Sequence, residues 1–355
     1  MNVNRLRKLR IELGFTQAEL AERAGISRTA VTAIEGDQLV PSVLAAISLA
    51  KVLDTSVEKL FGPCNVDEQT AVWAWEPAAS NPNYWEAEVA SRRWRYPASS
   101  SPTLTLLPDG GAIAKSAEMK SGDATKRAAA SANETLVVAC CDPAMGLVAS
   151  HYALTSRFRM LALQRSSREA LDLLRQGKVH AAGIHFSTPE MPTRNEQLVR
   201  ETLGRGYQLL QVATWEEGIA TASSSRIRSV AGAISGKLTW VGRDVGSAAR
   251  ECFERLKGSR SRPRYRADSH HGVAEAVRSG WADAGICVRL ASEEAGLRFL
   301  TVQQATYQMC IRDDMLADPR LQSLLTMMRS ASFRERLESL PGNTCRGIGE
   351  LSQVK

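Results

Sequence analysis

The spacing of apolar residues predicts short helices at the start of the chain. In "TQAELAERAGISRTAVTAIEGD" apolar residues recur every three or four positions, and Gly25 separates two helical segments. Thr16 and Glu19 have the spacing of a capping box, and Ser27 can cap the second segment. Two short helices joined by a tight turn predict a helix-turn-helix in a domain covering residues 1–62.

The second half of the chain, residues 133–355, repeats another pattern. Apolar strand patterns lead through a capping residue into amphipathic helices, as in "ETLVVACCDPAMGLVASHYAL", "LTWVGRDVGSAAREC" and "DSHHGVAEAVRSGWADAGI". In the first of these we expect Asp142 to cap the helix and Pro143 to occupy its first position. Strands that alternate with helices predict parallel sheets with helices on both faces.

Between these regions, residues 63–132 form a connector with a third pattern. Short alternating runs such as "NYWEAEVASRRWRYP" lie between Pro, Gly and Asn residues and predict two or three strands. A polar segment follows. The tryptophans of this stretch can serve as a platform for an aromatic ligand, but such side chains more often form a small core or a contact between domains, which we expect here.

The N-terminal domain carries little of the positive net charge of the chain. The chain has 45 Lys and Arg against 38 Asp and Glu, a formal net charge of +7. Residues 1–62 contribute eight basic and seven acidic side chains, so this domain is close to neutral. A nearly neutral domain is attracted only weakly to a polyanion, and we therefore expect a homodimer to be needed for useful affinity to such a partner.

Cysteine usage and the absence of targeting patterns point to a cytoplasmic protein without membrane association. The seven cysteines include no C-x-x-C pair, which is typical of reduced thiols. The N-terminus lacks the apolar region of a signal peptide, and no run reaches the length of a membrane span. The chain has no Walker-type or G-x-S-x-G motif, so the sequence predicts neither an enzyme nor a cofactor.

The phrase "TQAELAERAGIS" followed by "VTAIEGD" resembles the Xre/Cro/C1 family of DNA-binding domains. The resemblance implies a helical bundle whose second motif helix lies in the major groove of double-stranded operator DNA. By resemblance, Gln17 and Ser27 would contact phosphate, and the guanidinium of Arg28 would bond guanine O6 and N7. The matching positions on these two helices are Gln17, Ser27, Arg28, Thr29 and Thr32.

The order of elements in residues 133–355 resembles the periplasmic-binding-protein-like type II fold, including the domain of molybdate-binding and molybdopterin-biosynthesis proteins. The resemblance implies two α/β lobes, with the chain crossing between them near residues 215–235 and 298–307. A small molecule or oxyanion would bind between the lobes, where helix N-termini expose unpaired N–H groups. The candidate ligand-binding residues are Asp142, Ser166, Ser167, Gly246, Ser247, Ser269, His270 and Tyr307.

The adjacent residues His270 and His271 also have a metal-site interpretation, which the pattern disfavours. Neighbouring side chains on a helix point about 100° apart, and no matching third ligand lies nearby in the sequence. We therefore predict no metal.

The sequence thus predicts a multidomain regulator that senses a small polar or anionic molecule, with a molybdate-related ligand as one option. Its parts are an all-α helix-turn-helix bundle, a small β-containing connector and a two-lobed α/β domain. Two other functions stay open. One is an enzyme of molybdenum-cofactor biosynthesis. The other is a constitutive DNA-binding protein whose α/β part only mediates oligomerisation.

Overall fold

The structure is a computed structural model and describes residues 5–36, 38–61, 71–78, 82–98, 106–111 and 132–355. The chain divides into two compact units, Met1–Thr70 and Ala71–Lys355. None of the helices in these described ranges has the length and apolar character that crossing a membrane requires.

The first unit is a bundle of short helices and confirms the predicted helix-turn-helix. Its helices are α1 (Arg5–Glu12), α2 (Gln17–Ala24), α3 (Arg28–Glu35), α4 (Val43–Val52) and α5 (Val57–Phe61). Thr16 caps α2 in a capping box with Glu19, and the Ser27 hydroxyl accepts from the Ala30 amide at the start of α3. Gly25 ends α2 at φ +65°, a left-handed conformation that costs a glycine little.

The connector residues that the structure describes form a small sheet of three strands. The strands are β1 (Val72–Trp73), β2 (Tyr84–Val89) and β3 (Arg92–Pro97), in the order β1-β3-β2. Trp85 and Trp94 are buried among apolar residues of the α/β domain, and the indole of Trp94 donates to the carbonyl of Gly177. These two tryptophans therefore contribute to packing, as the sequence predicted. The polar segment at 112–131 lies outside the described residues.

The rest of the second unit is an α/β domain. In chain order its elements are β4 (Thr135–Cys140), α6 (Met145–Thr155), β5 (Arg159–Gln164), α7 (Ser167–Arg175), β6 (Ala181–Ser187), α8 (Arg194–Leu203), β7 (Tyr207–Thr221), α9 (Val230–Ser235), β8 (Trp240–Arg243), α10 (Ala248–Lys257), β9 (Tyr265–Ala267), α11 (His270–Arg278), β10 (Ala284–Val288), α12 (Arg289–Glu294), β11 (Arg298–Arg312), α13 (Pro319–Arg329), α14 (Ala331–Glu338), β12 (Asn343–Thr344) and β13 (Leu351–Gln353).

The strands pair in the order β5-β4-β6-β11-β7-β10-β8-β9, with β12 and β13 on β7. The two ends of this order are parallel, as predicted: β4 pairs with β5 and β6, and β8 pairs with β9 and β10. The middle is antiparallel, because β7 and β11 run in opposite directions and pair along nearly their whole length. The sequence did not predict this antiparallel centre.

The long strands β7 and β11 divide the domain into two lobes. The C-terminal half of β11 pairs with β6, whereas the C-terminal half of β7 pairs with β10. We call residues 132–216 with 304–355 the first lobe, and residues 217–303 the second lobe. The chain therefore crosses between lobes within both strands, near register shifts at Thr301/Gln303 and Tyr307/Gln308 in β11. The crossing in β7 occupies only the first part of the expected segment 215–235.

The predicted start of α6 is wrong. The helix begins at Met145, and Ala144 is the residue before its first turn. Asp142 instead accepts a hydrogen bond from the Ala144 amide at 2.8 Å, two residues along the chain. This short turn satisfies the Asp142 carboxylate before the helix begins, so Pro143 lies in the turn and not in the helix.

Candidate functional sites in the two units

Helix α3 presents the polar face that the helix-turn-helix motif predicts. Arg28, Thr29 and Thr32 are exposed on it, whereas Val31 and Ile34 are buried in the bundle. The exposed set can reach a DNA groove without disturbing the core.

Gln17 links the two helices of the motif by side-chain hydrogen bonds. Its Nε2 donates to Glu35 Oε2 at 2.8 Å, and its Oε1 accepts from the Thr32 hydroxyl at 3.2 Å. Glu35 in turn accepts two bonds from Arg10, at 2.6 and 3.0 Å. Burial raises the pKa of Glu35, but the bonds from Arg10 and Gln17 outweigh it and hold the pKa below its usual range.

Four side chains meet where the two lobes join. Cys141 Sγ lies 3.5 Å and Ser167 Oγ 3.4 Å from His185 Nδ1. The ring of His270, in the second lobe, has its centroid 5.8 Å from that of His185 in the first. All four residues are buried. Cys141, Ser167 and His270 follow the carboxyl ends of strands β4, β5 and β9, the positions at which α/β sheets bind ligands.

An aromatic stack extends this cluster into the first lobe. The His185 ring packs edge-on against Trp215, with centroids 5.0 Å apart, and Trp215 stacks on Tyr307 at 4.7 Å. The Tyr307 hydroxyl points toward Met145 Sδ at 3.8 Å. Tyr307 is fully buried behind the cluster. It packs on Trp215, which separates it from His185.

Arg243, the last residue of β8, brings a positive charge into the same junction. Its exposed fraction is 1%, and its Nη2 donates to the carbonyl of Asp268 at 2.8 Å. Its Nε and Nη1 have no hydrogen-bond partner among the residues that the structure describes. Burial of a charged group with unpaired N–H groups is costly, and it commonly marks the position of an anionic ligand.

Burial and the charge of Arg243 together set the protonation of the histidines. Burial, and then Arg243, lower the pKa of His185 to about 3. The same two causes, in the same order, lower the pKa of His270 well below its usual value. Both imidazoles are therefore neutral at physiological pH, and each has one ring nitrogen with a free lone pair.

The acidic groups of the junction are also shifted. Burial raises the pKa of Glu217 to about 7, although a hydrogen bond from Gln303 opposes the shift. Burial raises the pKa of Asp142 to about 7 as well, against the hydrogen bond from Ala144. Near neutral pH these carboxyls are only partly ionised, so their opposition to an anionic ligand is weaker than the sequence alone implies.

Three of the four predicted serines cap helices, whereas Ser167 is the first residue of α7 and contacts His185. Ser166 accepts from the Glu169 amide in a capping box, Ser247 from Arg250 and Ser269 from Gly272. Gly246 has φ +90°, and a Cβ added there would lie 2.8 Å from the Arg168 side chain of the first lobe. Arg168 also pairs with Glu251 of the second lobe at 3.0 Å, so this loop lies at the lobe boundary.

The absence of a metal stays a prediction, but the sequence argument for it considered only ligands close to His270 in the chain. His271 does point away from His270, as expected, and its Nε2 lies 2.9 Å from a Glu294 oxygen. Further ligands for His270 nevertheless exist, because the fold brings Cys141 and His185 to it from other strands. Sequence reasoning also missed Arg243, although a charged residue at the end of the apolar strand "LTWVGR" was a visible signal.

Two family profiles match the chain. Residues 149–329 match the PBP superfamily domain, and residues 6–60 match the helix-turn-helix family.

Curated relatives match the N-terminal part. An uncharacterized HTH-type transcriptional regulator, YgzD of Bacillus subtilis, is 36% identical over 58 residues, which are 16% of this chain and 88% of that protein. An uncharacterized HTH-type transcriptional regulator of Methanothermobacter thermautotrophicus is 40% identical over 57 residues, covering 16% and 83%.

Solved structures are similar to somewhat more than half of this chain at low sequence identity. An ABC-type phosphate transport receptor from Vibrio cholerae has a TM-score of 0.40 and 13% identity, covering 57% of this chain and 97% of the receptor. A reduced form of OxyR from N. meningitidis has a TM-score of 0.43 and 11% identity, covering 59% and 98%. Similarity at this level is too low to transfer a ligand to the present chain.

The profile matches agree with the structure in both units. The first unit has the capped α2 and α3 of a helix-turn-helix, and the second has the two lobes joined by two long strands. The chain therefore belongs to the PBP superfamily and begins with the DNA-binding domain of HTH-type transcriptional regulators.

Proposed function

We propose that this chain is a ligand-responsive transcriptional regulator. Residues 1–62 bind operator DNA, residues 63–132 connect the parts, and residues 133–355 bind a small anion, or a molecule with an anionic group, where the lobes join. The observation that carries the choice of ligand is the buried guanidinium of Arg243, with two N–H-bearing nitrogens that no described residue accepts from. A guanidinium recognises carboxylates and oxyanions through paired N–H donors.

The residues around Arg243 support an anion at its unpaired N–H groups. The Ser167 hydroxyl lies beside His185, and three helices, α7, α10 and α11, begin with capped N-termini. Helix N-termini carry partial positive charge and stabilise anions. The further residues proposed to line this site are Asp142, Ser166, Gly246, Ser247, Ser269, His270 and Tyr307.

An enzymatic role finds less support at this junction. Burial raises the pKa of the Cys141 thiol to about 11, with Arg243 lowering it only in part. A nucleophilic cysteine needs a lowered pKa, because the thiolate is the reactive form. We therefore favour a binding role over the biosynthetic enzyme, and the non-sensing scaffold is one outcome of the test below.

The test of the anion is ligand-dependent thermal unfolding of the full chain. Phosphate, sulfate, molybdate and small dicarboxylates are compared with neutral sugars of similar size. A true ligand at one hundred times its Kd adds about 2.7 kcal/mol to the free energy of unfolding. Stabilisation by neutral molecules alone would contradict the anion, and the lack of any stabilisation would favour the scaffold.

Arg28 is proposed to read a base pair in the major groove. Arg28→Ala is expected to weaken binding to the operator by about 1–3 kcal/mol and to relax preference at one base pair, because a bidentate contact to guanine is lost. The measurement is fluorescence anisotropy on operator and random DNA. Lys51→Ala, at an exposed position on α4, is the control. An equal loss on both DNAs would mean that Arg28 contacts phosphate only.

We propose that a second copy of this chain covers an apolar face of α4 and the loop before it. Val40, Val43, Leu44 and Ile47 are exposed by 90%, 75%, 79% and 39%. Their spacing places them on one side of the helix, and a nearly neutral reading domain needs two copies on adjacent half-sites.

The dimer is tested by light scattering at micromolar concentration. The wild-type chain is expected to be a dimer and Leu44→Glu a monomer, because burying the carboxylate would oppose association. Leu154→Glu introduces the same charge at a position that is 80% exposed on α6 and serves as the control. A wild-type monomer both with and without DNA would contradict the proposal.

A further inference from the structure

We propose that Cys141, His185 and His270 form a binding site for one thiophilic transition-metal ion, of the class that includes Zn(II) and Cu(I). One ligand atom from each residue lies within 4.8 Å of the others, and all three residues are buried. One thiolate with two imidazoles is a donor set that both ions accept, whereas Mg²⁺ and Ca²⁺ prefer oxygen.

The distance between Cys141 and His185 already fits a shared ion. Cys141 Sγ and His185 Nδ1 are 3.5 Å apart. With a metal–sulfur bond of about 2.3 Å and a metal–nitrogen bond of about 2.0 Å, two ligands of a tetrahedral ion lie roughly 3.5 Å apart. His270 needs only a small side-chain movement, because its ligand atom is already within 4.8 Å of the other two.

The histidine nitrogens provide a second and independent observation. Both ring nitrogens of His270, and Nε2 of His185, have no hydrogen-bond partner among the described residues. The imidazoles of His185 and His270 are 1% exposed, so these nitrogens are shielded from solvent. Buried polar atoms are nearly always paired, and a metal ion would bind one of the unpaired nitrogens of His270. At His185 the ion would bind Nδ1, the nitrogen beside Cys141, so the support comes from the two nitrogens of His270.

The three ligands come from both lobes. Cys141 follows β4 and His185 lies on β6, both in the first lobe, whereas His270 begins α11 in the second. An ion bound by all three would hold the lobes together at their junction. Metal binding would therefore favour the arrangement of the lobes in which the three ligands meet, and in the proposed regulator it would couple metal supply to lobe conformation.

Binding exchanges a proton for the metal. The S–H bond of Cys141 breaks, its proton passes to solvent and a sulfur–metal bond forms, while the two imidazoles bind as neutral ligands. With Cu(I), the ion and its three ligands together would carry no net charge. With Zn(II), they would carry one positive charge near Arg243. The two ions are tested separately for this reason. His270 is shared with the proposed anion site, but the inference is argued without Arg243 and does not rest on the proposed anion.

The experiment is a metal titration of the reduced, metal-free full chain against a chromophoric chelator. Zn(II) is tested in one arm and, without oxygen, Cu(I) in the other. One equivalent of at least one ion is expected to bind. Cys141→Ser and His270→Ala are each expected to lower the affinity for this ion by more than 10- to 100-fold, the loss typical when an outer-shell partner of a metal ligand is removed. Cys310→Ser and His151→Gln remove a buried thiol and a buried imidazole outside the cluster and should leave the affinity unchanged.

A spectroscopic measurement on the wild-type chain covers the case in which variants do not fold. X-ray absorption of the loaded protein is expected to show one sulfur and two imidazole nitrogens around the ion. Failure of both ions to bind in equimolar amount, a first shell without sulfur, or equal losses in the control variants would overturn the metal site. If the chain still binds an anion in that case, the proposed function is unaffected.

Discussion

Replacing Arg10 by Met should destabilise the helix-turn-helix unit by about 3–5 kcal/mol, because the buried carboxylate of Glu35 would lose its charged partner. The Arg10 and Glu35 side chains are only 11% and 3% exposed, and the bond from Arg10 Nε is 2.6 Å long. The measurement is hydrogen exchange of the amides in α1 to α4 within the full chain, which reports the free energy of opening this unit.

The double variant Arg10→Met/Glu35→Met distinguishes loss of a partner from loss of packing. It should recover most of the stability, since apolar side chains of similar volume often replace a buried ion pair without net cost. Arg28→Met removes an exposed guanidinium and should have little effect. A double variant as unstable as Arg10→Met would show that packing of the arginine stem, and not the ion pair, carries the stability.

The Arg10–Glu35 pair also makes the free energy of unfolding of this unit decrease at acid pH. The folded pKa of Glu35 lies below its unfolded value of about 4.3. Its contribution is therefore fully present above the unfolded pKa and is lost as pH falls through the folded one. The double variant lacks this carboxylate, so its stability in this range should fall less steeply with acid than that of the wild type.

Local features of this fold were predictable because they depend on neighbouring residues. The caps at Thr16, Ser27, Ser166 and Ser269 follow from side chains that bond amides three positions along the chain. Asp142 is the exception. Its carboxylate bonds the amide only two positions on, so the same residue type that can cap a helix forms a turn before it.

The junction of the lobes was predictable only in part, because it depends on long-range topology. His270 and Ser167 were expected there from their places at helix starts. His185 lies within a buried strand, where a histidine is more often a core residue, and the antiparallel centre of β7 and β11 had no signal in the strand–helix alternation. Cys141 and His185 are 44 positions apart, so no spacing motif connects them.

Arg243→Met should change ligand binding and stability in opposite directions. Without ligand, the free energy of unfolding of the second unit should rise by about 1–3 kcal/mol, because buried N–H groups without acceptors are removed. Anion binding should weaken by about 2–5 kcal/mol, roughly 30- to 5,000-fold in Kd, since the charged donor is lost. Calorimetry and thermal unfolding measure both quantities, with a chelator present to exclude metal.

The matched control is Arg250→Met, which removes a second buried guanidinium from the second lobe. The side chain of Arg250 is 6% exposed, but its Nε donates to Glu254 at 2.7 Å. Its loss should therefore lower stability and leave the Kd of the anion nearly unchanged, because the group is already satisfied by protein. If Arg243→Met instead lowers stability without ligand and binds the anion as tightly as the wild type, Arg243 is a structural residue. The anion site would then have to be sought at the N-termini of α7, α10 and α11.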